Sequence, residues 1–151
     1  MLSSACKNAI RSVLYLAMYS SDTKKIGAKV LAEDLEIPKP FLAKLLQVLI
    51  KNNLVSSTKG PRGGFYLTKT NNNKNVWQII DCIDGVKKFD QCFLGLAKCE
   101  DANPCPVHFT VSPFKKKIMA DFRDKTIIRF ATEIKNSNKV ITLKDFDILD
   151  S

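Results

Sequence analysis

No stretch of this 151-residue chain is apolar for long enough to cross a bilayer; its hydrophobic runs are short and interrupted. The N-terminus lacks the basic-then-apolar order of a secretory signal, so the expected compartment is the cytoplasm, with no membrane partner. Histidine is nearly missing, with His108 alone. There is no glycine-rich phosphate loop opening a helix, and no pair of carboxylates marks a pocket. Those gaps argue against an enzyme. Paired cysteine is missing too: five thiols (Cys6, Cys82, Cys92, Cys99, Cys105) are an odd number, which argues against a disulfide framework. Negative charge is also absent locally. Between Ile37 and Ile80 stand seven cations (Lys39, Lys44, Lys51, Lys59, Arg62, Lys69, Lys74) and no Asp or Glu.

What is present is an ordinary globular balance, 45% hydrophobic and 26% charged, enough for one core with or without an appended arm. The formal net charge is +9, and it is unevenly placed. Residues 1–90 carry fourteen Lys or Arg against seven Asp or Glu; residues 91–151 carry ten against eight. A polyanion would meet the first part before the second, although a solvated basic face gives the same count.

Apolar residues at helical spacing (Ile10, Val13, Leu14, Ala17, Met18) predict a helix from Cys6 to Tyr19, capped by Ser3 or Ser4. After a break at 20–25, a short helix is expected over Ala28–Leu35 with Val30, Leu31 and Leu35 inward. Pro38 ends it, because the residue before a proline is pushed out of helical geometry. A third helix is expected from Lys39 to about Asn52, with Pro40 tolerated in its first turn and Leu42, Leu45, Leu46 and Leu49 on one face. Two short helices about a tight turn holding a buried Ile37 form a helix-turn-helix pattern. Strands at 54–58 and 64–68 follow, joined by Lys59-Gly60-Pro61-Arg62-Gly63, a glycine-rich tip with two cations. A basic hairpin directly after a helix-turn-helix reads as a wing, from which Lys59 and Arg62 reach phosphates or a narrow minor groove. Residues 70–75 read as a polar linker, and 76–84 as a helix. Trp77 and Cys82 are expected beneath the wing or against a partner subunit, with Cys6 and Cys82 as core thiols.

The segment from Asp90 to His108 has the spacing Cys92-x6-Cys99-x5-Cys105-x2-His108. Gly95, Pro104 and Pro106 predict an irregular loop, able to wrap a metal centre as a helix is not. Soft thiolates with one imidazole suit zinc or an iron–sulfur cluster. Structural zinc favours ligands two to four residues apart, and these gaps are wider. A thiol redox switch, or a loop without a ligand, stays open on spacing alone.

The sequence resembles the Rrf2 family of winged-helix regulators, which includes the iron–sulfur cluster regulator IscR, the nitric-oxide sensor NsrR and the iron regulator RirA. Three parts over about residues 4–135 carry the likeness: the first helix from Ala9 to Ala17, the wing from Lys51 to Phe65, and the three-cysteine loop with His108. The resemblance implies a homodimer on a partly palindromic double-stranded DNA operator, with the helix from Lys39 in the major groove. Pro38, Lys39, Pro40, Phe41, Ala43 and Lys44 would then face bases or flanking phosphates, joined by Thr58, Lys59, Gly60, Arg62 and Gly63 of the wing. It further implies a cluster on Cys92, Cys99, Cys105 and His108, of two-iron–two-sulfur type by the IscR pattern, with a four-iron–four-sulfur cluster still open. Two departures stand out. Ala43-Lys44 replaces the Glu-Gln pair of the IscR branch, so operator preference should differ. Lys7 occupies the place of the acidic ligand of the NsrR branch, which leaves His108 as the fourth ligand.

Beyond the loop, Ser112 is expected to cap and Pro113 to open a helix bearing Phe114, Ile118, Met119 and Phe122. Thr126 caps a last one bearing Ile127, Ile128, Phe130, Ala131 and Ile134. The expected whole is mainly α with a small β wing: a winged helix-turn-helix (1–75), a cysteine-loop sensor and dimerisation region (76–136), and a tail (137–151) whose Ile141, Leu143, Phe146 and Ile148 dock on the body. The expected function is DNA-binding transcriptional regulation controlled by an iron–sulfur cluster. The alternative is a cluster-free regulator answering through its thiols or through a protein or small-molecule partner.

Overall fold

The structure is a computed structural model and describes residues 2–138; the docking expected of Ile141, Leu143, Phe146 and Ile148 lies outside the described residues. The first helix, α1 (Ser4–Tyr19), starts where Ser3 Oγ accepts the Cys6 amide at 3.0 Å, and it buries a continuous face from Ala9 to Met18. Helix α2 (Ala28–Leu35) ends at Glu36, which adopts a left-handed conformation (φ 50°) so that its amide returns to Ala32 and Glu33. Pro38 then sets the entry to α3 (Lys39–Lys51), with Pro40 in the first turn where its missing N–H has no partner to lose. Leu42, Leu45, Leu46 and Leu49 of α3 are buried as their spacing requires.

Strands β1 (Ser56–Thr58) and β2 (Gly64–Tyr66) pair antiparallel with Ser57 opposite Phe65. The hairpin is shorter than its sequence predicts, but it gains a neighbour: Ile26 exchanges both backbone hydrogen bonds with Phe65, at 2.9 and 2.8 Å. The wing is thus stitched to the segment ahead of α2, which the sequence marks only as a break. Short helices α4 (Lys69–Asn72), α5 (Val76–Ile83) and α6 (Val86–Asp90) follow, then α7 (His108–Asp124) and α8 (Ile127–Asn136).

One apolar cluster joins α1, α2 and α3 with Leu54, Val55, Leu67, Ile79 of α5, and Ile127 and Ala131 of α8. A second joins Cys6, Val76, Trp77, Ile80 and Phe89. The fold is mainly α with a two-stranded wing, as the sequence predicts.

Three local expectations need correction. Val30 is 48% exposed, and Ala32 takes its inward place beside Leu31 and Leu35. Residues 70–75 are not a plain linker: Thr68 caps α4 by a reciprocal pair of bonds with Asn71, and Asn71 is buried. Helix α7 begins at His108, five residues before Pro113, which sits inside it. A proline in the second turn removes a single intrahelical bond, so the helix passes through it and Ser112 is no cap. Of the two places expected for Trp77, the one beneath the wing is not taken: it packs edge-on against Phe89 (5.3 Å between centroids) and under the Arg123 guanidinium (4.6 Å), in the second cluster.

Candidate metal centre and nucleic-acid interface

The sulfur atoms of Cys92, Cys99 and Cys105 lie within 4.8 Å of one another. They come from an irregular segment, residues 91–107, held between α6 and α7. Each thiol is positioned differently. Cys92 opens a turn in which Gly95 (φ 75°) donates its amide to the Cys92 carbonyl at 2.9 Å. That turn aims the amides of Leu96 and Leu94 at the Cys92 sulfur. The Leu96 bond leads; burial opposes it, and the bonds from Leu94 and from the Cys99 and Cys105 thiols tip the balance, so that the thiol is held down at about 7. Cys105, 7% exposed, is set at the entry to α7, where its carbonyl accepts the His108 amide at 3.0 Å. A backbone bond from Cys105 draws Cys99 down, but burial and the adjoining Cys105 and Cys92 thiols outweigh it and raise Cys99.

His108 is the first residue of α7. Its Nδ1 lies 3.2 Å from Cys99 Sγ, and its Nε2 lies 2.8 Å from Asp101 Oδ1. That hydrogen bond, reinforced by the Lys116 charge, keeps Asp101 below the usual carboxylate range. A cavity of about 150 Å3 opens among the three cysteines, His108, Phe93 and the α7 residues Val111, Ser112, Lys115, Lys116 and Met119. A water molecule needs roughly 15 Å3 by the same measure, so there is space for a group of several atoms. The donor set fits a metal or an iron–sulfur cluster: three soft thiols, one already easily ionised, one imidazole, and two lysines to offset thiolate charge. Cys6 is fully buried, and burial followed by the nearby Asp84 charge pushes its thiol up to about 12. Burial also raises Cys82. Cys6 is the core thiol expected of it, whereas Cys82 is half-buried and packs against the margin of the core.

On the opposite part of the chain, Pro38, Lys39, Pro40, Phe41, Ala43 and Lys44 are exposed at the start of α3, while Leu42 between them is buried. The wing tip exposes Thr58, Lys59, Gly60 and Arg62, with Gly63 half-buried. Gly63 closes the tip by donating to the Gly60 carbonyl at 2.9 Å. Its place admits no side chain, since a Cβ there would overlap the Thr58 carbonyl oxygen. Gly64 has φ 148°, and a Cβ on it would meet the Ile26 carbonyl oxygen at 2.8 Å.

Sequence reasoning missed three contributors. Asp101 is an exposed acid like any other until the loop turns back on itself. The Leu94 and Leu96 amides leave no mark in side-chain identity. Asn71, inside a run of asparagines, is singled out only by its burial: its Oδ1 accepts from Ser56 Oγ (2.8 Å), Thr68 N (2.9 Å) and Thr68 Oγ1 (2.9 Å), and its Nδ2 donates to the Asn53 carbonyl (2.8 Å).

A helix-turn-helix with a basic wing, followed by a three-cysteine loop at the head of a long helix, defines a winged-helix transcriptional regulator. Residues 2–133 match the Rrf2 family, described as iron-dependent transcriptional regulator, and the chain belongs to that family. It is 35% identical over 127 residues, 83% of this chain and 87% of the relative, to a putative HTH-type transcriptional regulator of Aquifex aeolicus. It is 27% identical to the HTH-type transcriptional regulator IscR of Pectobacterium atrosepticum, over 95% of this chain and 84% of that one. Among solved structures, IscR of T. potens superposes with a TM-score of 0.68 at 20% identity, covering 93% of this chain and 92% of the other. CymR, the global cysteine regulator of B. subtilis, gives 0.68 at 17% identity, covering 88% and 97%. No helix among the described residues is long and apolar enough to cross a membrane.

Proposed function

We propose that this regulator binds its operator with an affinity set by an iron–sulfur cluster held on Cys92, Cys99, Cys105 and His108. The observation that carries the reading is the convergence of three thiols within 4.8 Å beside the imidazole that begins α7. A two-iron–two-sulfur form suits three thiolates and one imidazole. A bound cluster would supply chemistry that answers to iron supply, oxidation or nitric oxide.

The chain's own residues link that site to DNA. Ligation ties the loop to His108 and hence to the first turn of α7. The other end of α7 and the start of α8 touch the DNA-binding half: Asn75 Nδ2 donates to the Arg123 carbonyl of α7 at 3.1 Å, and Ile127 N of α8 donates to the Lys74 carbonyl at 2.8 Å. Lys74 and Asn75 lie just beyond Asn73, the C-cap of α4, whose Asn71 holds Ser56 of the wing. Ligation that biases the pose of α7 therefore biases the pose of the wing. On the DNA side, Pro38, Lys39, Pro40, Phe41, Ala43 and Lys44 meet the major groove, and Thr58, Lys59, Gly60, Arg62 and Gly63 meet the backbone or minor groove.

The acting species is a homodimer on a partly palindromic operator. Support comes from α7, seventeen residues and about 25 Å long, in which no residue is buried although it carries Phe109 (66% exposed) and Phe114 (57%). In this reading residues 1–75 read DNA and residues 76–136 sense and dimerise.

A second reading has an observation of its own. Thiols within 4.8 Å, one of them ionising near 7, are placed to form a disulfide when a two-electron oxidant such as a peroxide takes the electron pair and two protons leave, and a solved structure similar in fold is the oxidised form of Staphylococcus aureus CymR. Anaerobic purification separates the two. The cluster reading expects a coloured protein with iron and acid-labile sulfide, and a changed operator affinity when both are removed. A protein that stays colourless, without iron or sulfide after anaerobic reconstitution, and that changes affinity only with thiol oxidation, overturns it in favour of the second.

A further inference from the structure

The imidazole of His108 is held at both nitrogens before any metal arrives. Its side chain is only 13% exposed, so its Nε2 needs a hydrogen-bond partner, and Asp101 Oδ1 supplies one at 2.8 Å. An acceptor-only carboxylate there selects the tautomer with the proton on Nε2. The Nδ1 lone pair then points to Cys99 Sγ, 3.2 Å away and within the cysteine cluster. Asp101 is itself fixed. It sits at the tip of a two-residue turn closed by reciprocal backbone bonds between Glu100 and Asn103, at 3.3 and 3.0 Å. The Phe109 ring stands edge-on to the imidazole at 5.1 Å and limits its rotation.

From this arrangement we infer that Asp101 is a positioning residue for the metal centre, fixing His108 so that Nδ1, and not Nε2, is the ligating nitrogen. The inference rests on the cluster reading proposed above and adds to it one residue and one atom. A histidine ligand whose second nitrogen donates to a carboxylate keeps its ring orientation and gains basicity; loss of such a partner commonly costs about 10–100-fold in metal affinity. The Asp101 side chain is 77% exposed, so its replacement should leave folding intact. Glu100, one residue away in the same turn, is an exposed acid of equal charge and serves as the control.

The experiment uses the full-length chain, reconstituted anaerobically with iron and sulfide, as wild type, Asp101→Ala, Asp101→Asn and Glu100→Gln. Two properties are read: the rate of iron loss to a chelator, and the nitrogen hyperfine coupling of the reduced protein by pulsed electron paramagnetic resonance. Because His108 is the single histidine, any imidazole coupling is assignable without further labels. The expected result is 10–100-fold faster iron loss and an altered nitrogen coupling in Asp101→Ala. Asp101→Asn, which keeps an acceptor oxygen, should fall between, and Glu100→Gln should match wild type. Asp101→Ala that keeps iron and nitrogen coupling unchanged overturns the inference while the cluster stands. Equal loss in Glu100→Gln overturns it too, as a general effect of charge. Wild-type protein that takes up no iron or sulfide fails the cluster reading, and the inference with it.

Discussion

Replacement of Asn71 by alanine tests how the wing is held. The side chain makes four hydrogen bonds, three into Oδ1 from Ser56 and Thr68 and one from Nδ2 to the Asn53 carbonyl, all between 2.8 and 2.9 Å. Asn71 is 4% exposed, so water does not readily replace it. A hydrogen bond of this kind contributes about 0.5–1.5 kcal/mol net, and a buried group left without its partner costs about 1–3 kcal/mol. Three bonds share one oxygen and do not add fully, so about 3 kcal/mol is the expected loss. That is a factor of roughly 150 in the folding equilibrium. Urea denaturation measures it directly, with Asn73→Ala, an exposed neighbour, expected within about 0.5 kcal/mol of wild type. Since Ser56 begins β1, the variant should also bind DNA more weakly under conditions where it is still fully folded. A loss below about 1 kcal/mol together with unchanged DNA affinity would refute the hub role assigned to Asn71.

Three further outcomes are expected. Lys59→Ala combined with Arg62→Ala should weaken binding to operator and random DNA alike, and flatten the salt dependence by about one unit of slope for each phosphate no longer neutralised, read by fluorescence anisotropy across salt; an unaltered slope means that the wing tip does not meet phosphate. Gly64→Ala should cost roughly 1–3 kcal/mol through its φ of 148° and the 2.8 Å approach to the Ile26 carbonyl, detectable as a lower melting temperature, and a neutral variant would mean that the Ile26–Phe65 stitch is dispensable. The Asp84 carboxylate accepts the Ser3 amide at 2.8 Å and also the Ser3 hydroxyl; burial raises it, but these bonds win and lower it. A carboxylate lowered in the folded state contributes its stability above the ordinary value of 3.8 and loses it as pH falls further toward the folded value. Asp84→Asn should therefore flatten the acid side of the stability curve in that window, and an identical acid limb would discard the contact.

Much of the winged helix-turn-helix is legible in the sequence because each signal is local. The leucines of α3 at helical spacing, Pro38 and Pro40 at its entry, and glycines around Arg62 each act within a few residues, and they agree with one another. The sequence misleads where distant groups decide. Trp77 carries no mark of its partners in the sequence, yet folding sets Phe89 against its edge and the Arg123 guanidinium over its ring. Val30 is apolar, yet the rotation of α2 on α1 and α3 buries Ala32 in its place.

The same division runs through the whole protein. Residue order alone settles the class of fold, the acid-free stretch, and the candidates Cys92, Cys99, Cys105 and His108, because periodicity, charge and residue chemistry are properties of the chain read in order. Folding in three dimensions is what brings three sulfurs within 4.8 Å, turns the Leu94 and Leu96 amides onto one of them, and sets Asp101 against His108. It also ties Asn71, one of a polar run, to the wing, and places Ile127 and Ala131 in the core of α1. These depend on where the backbone returns in space, and no spacing along the chain encodes the distance between atoms brought together by a turn.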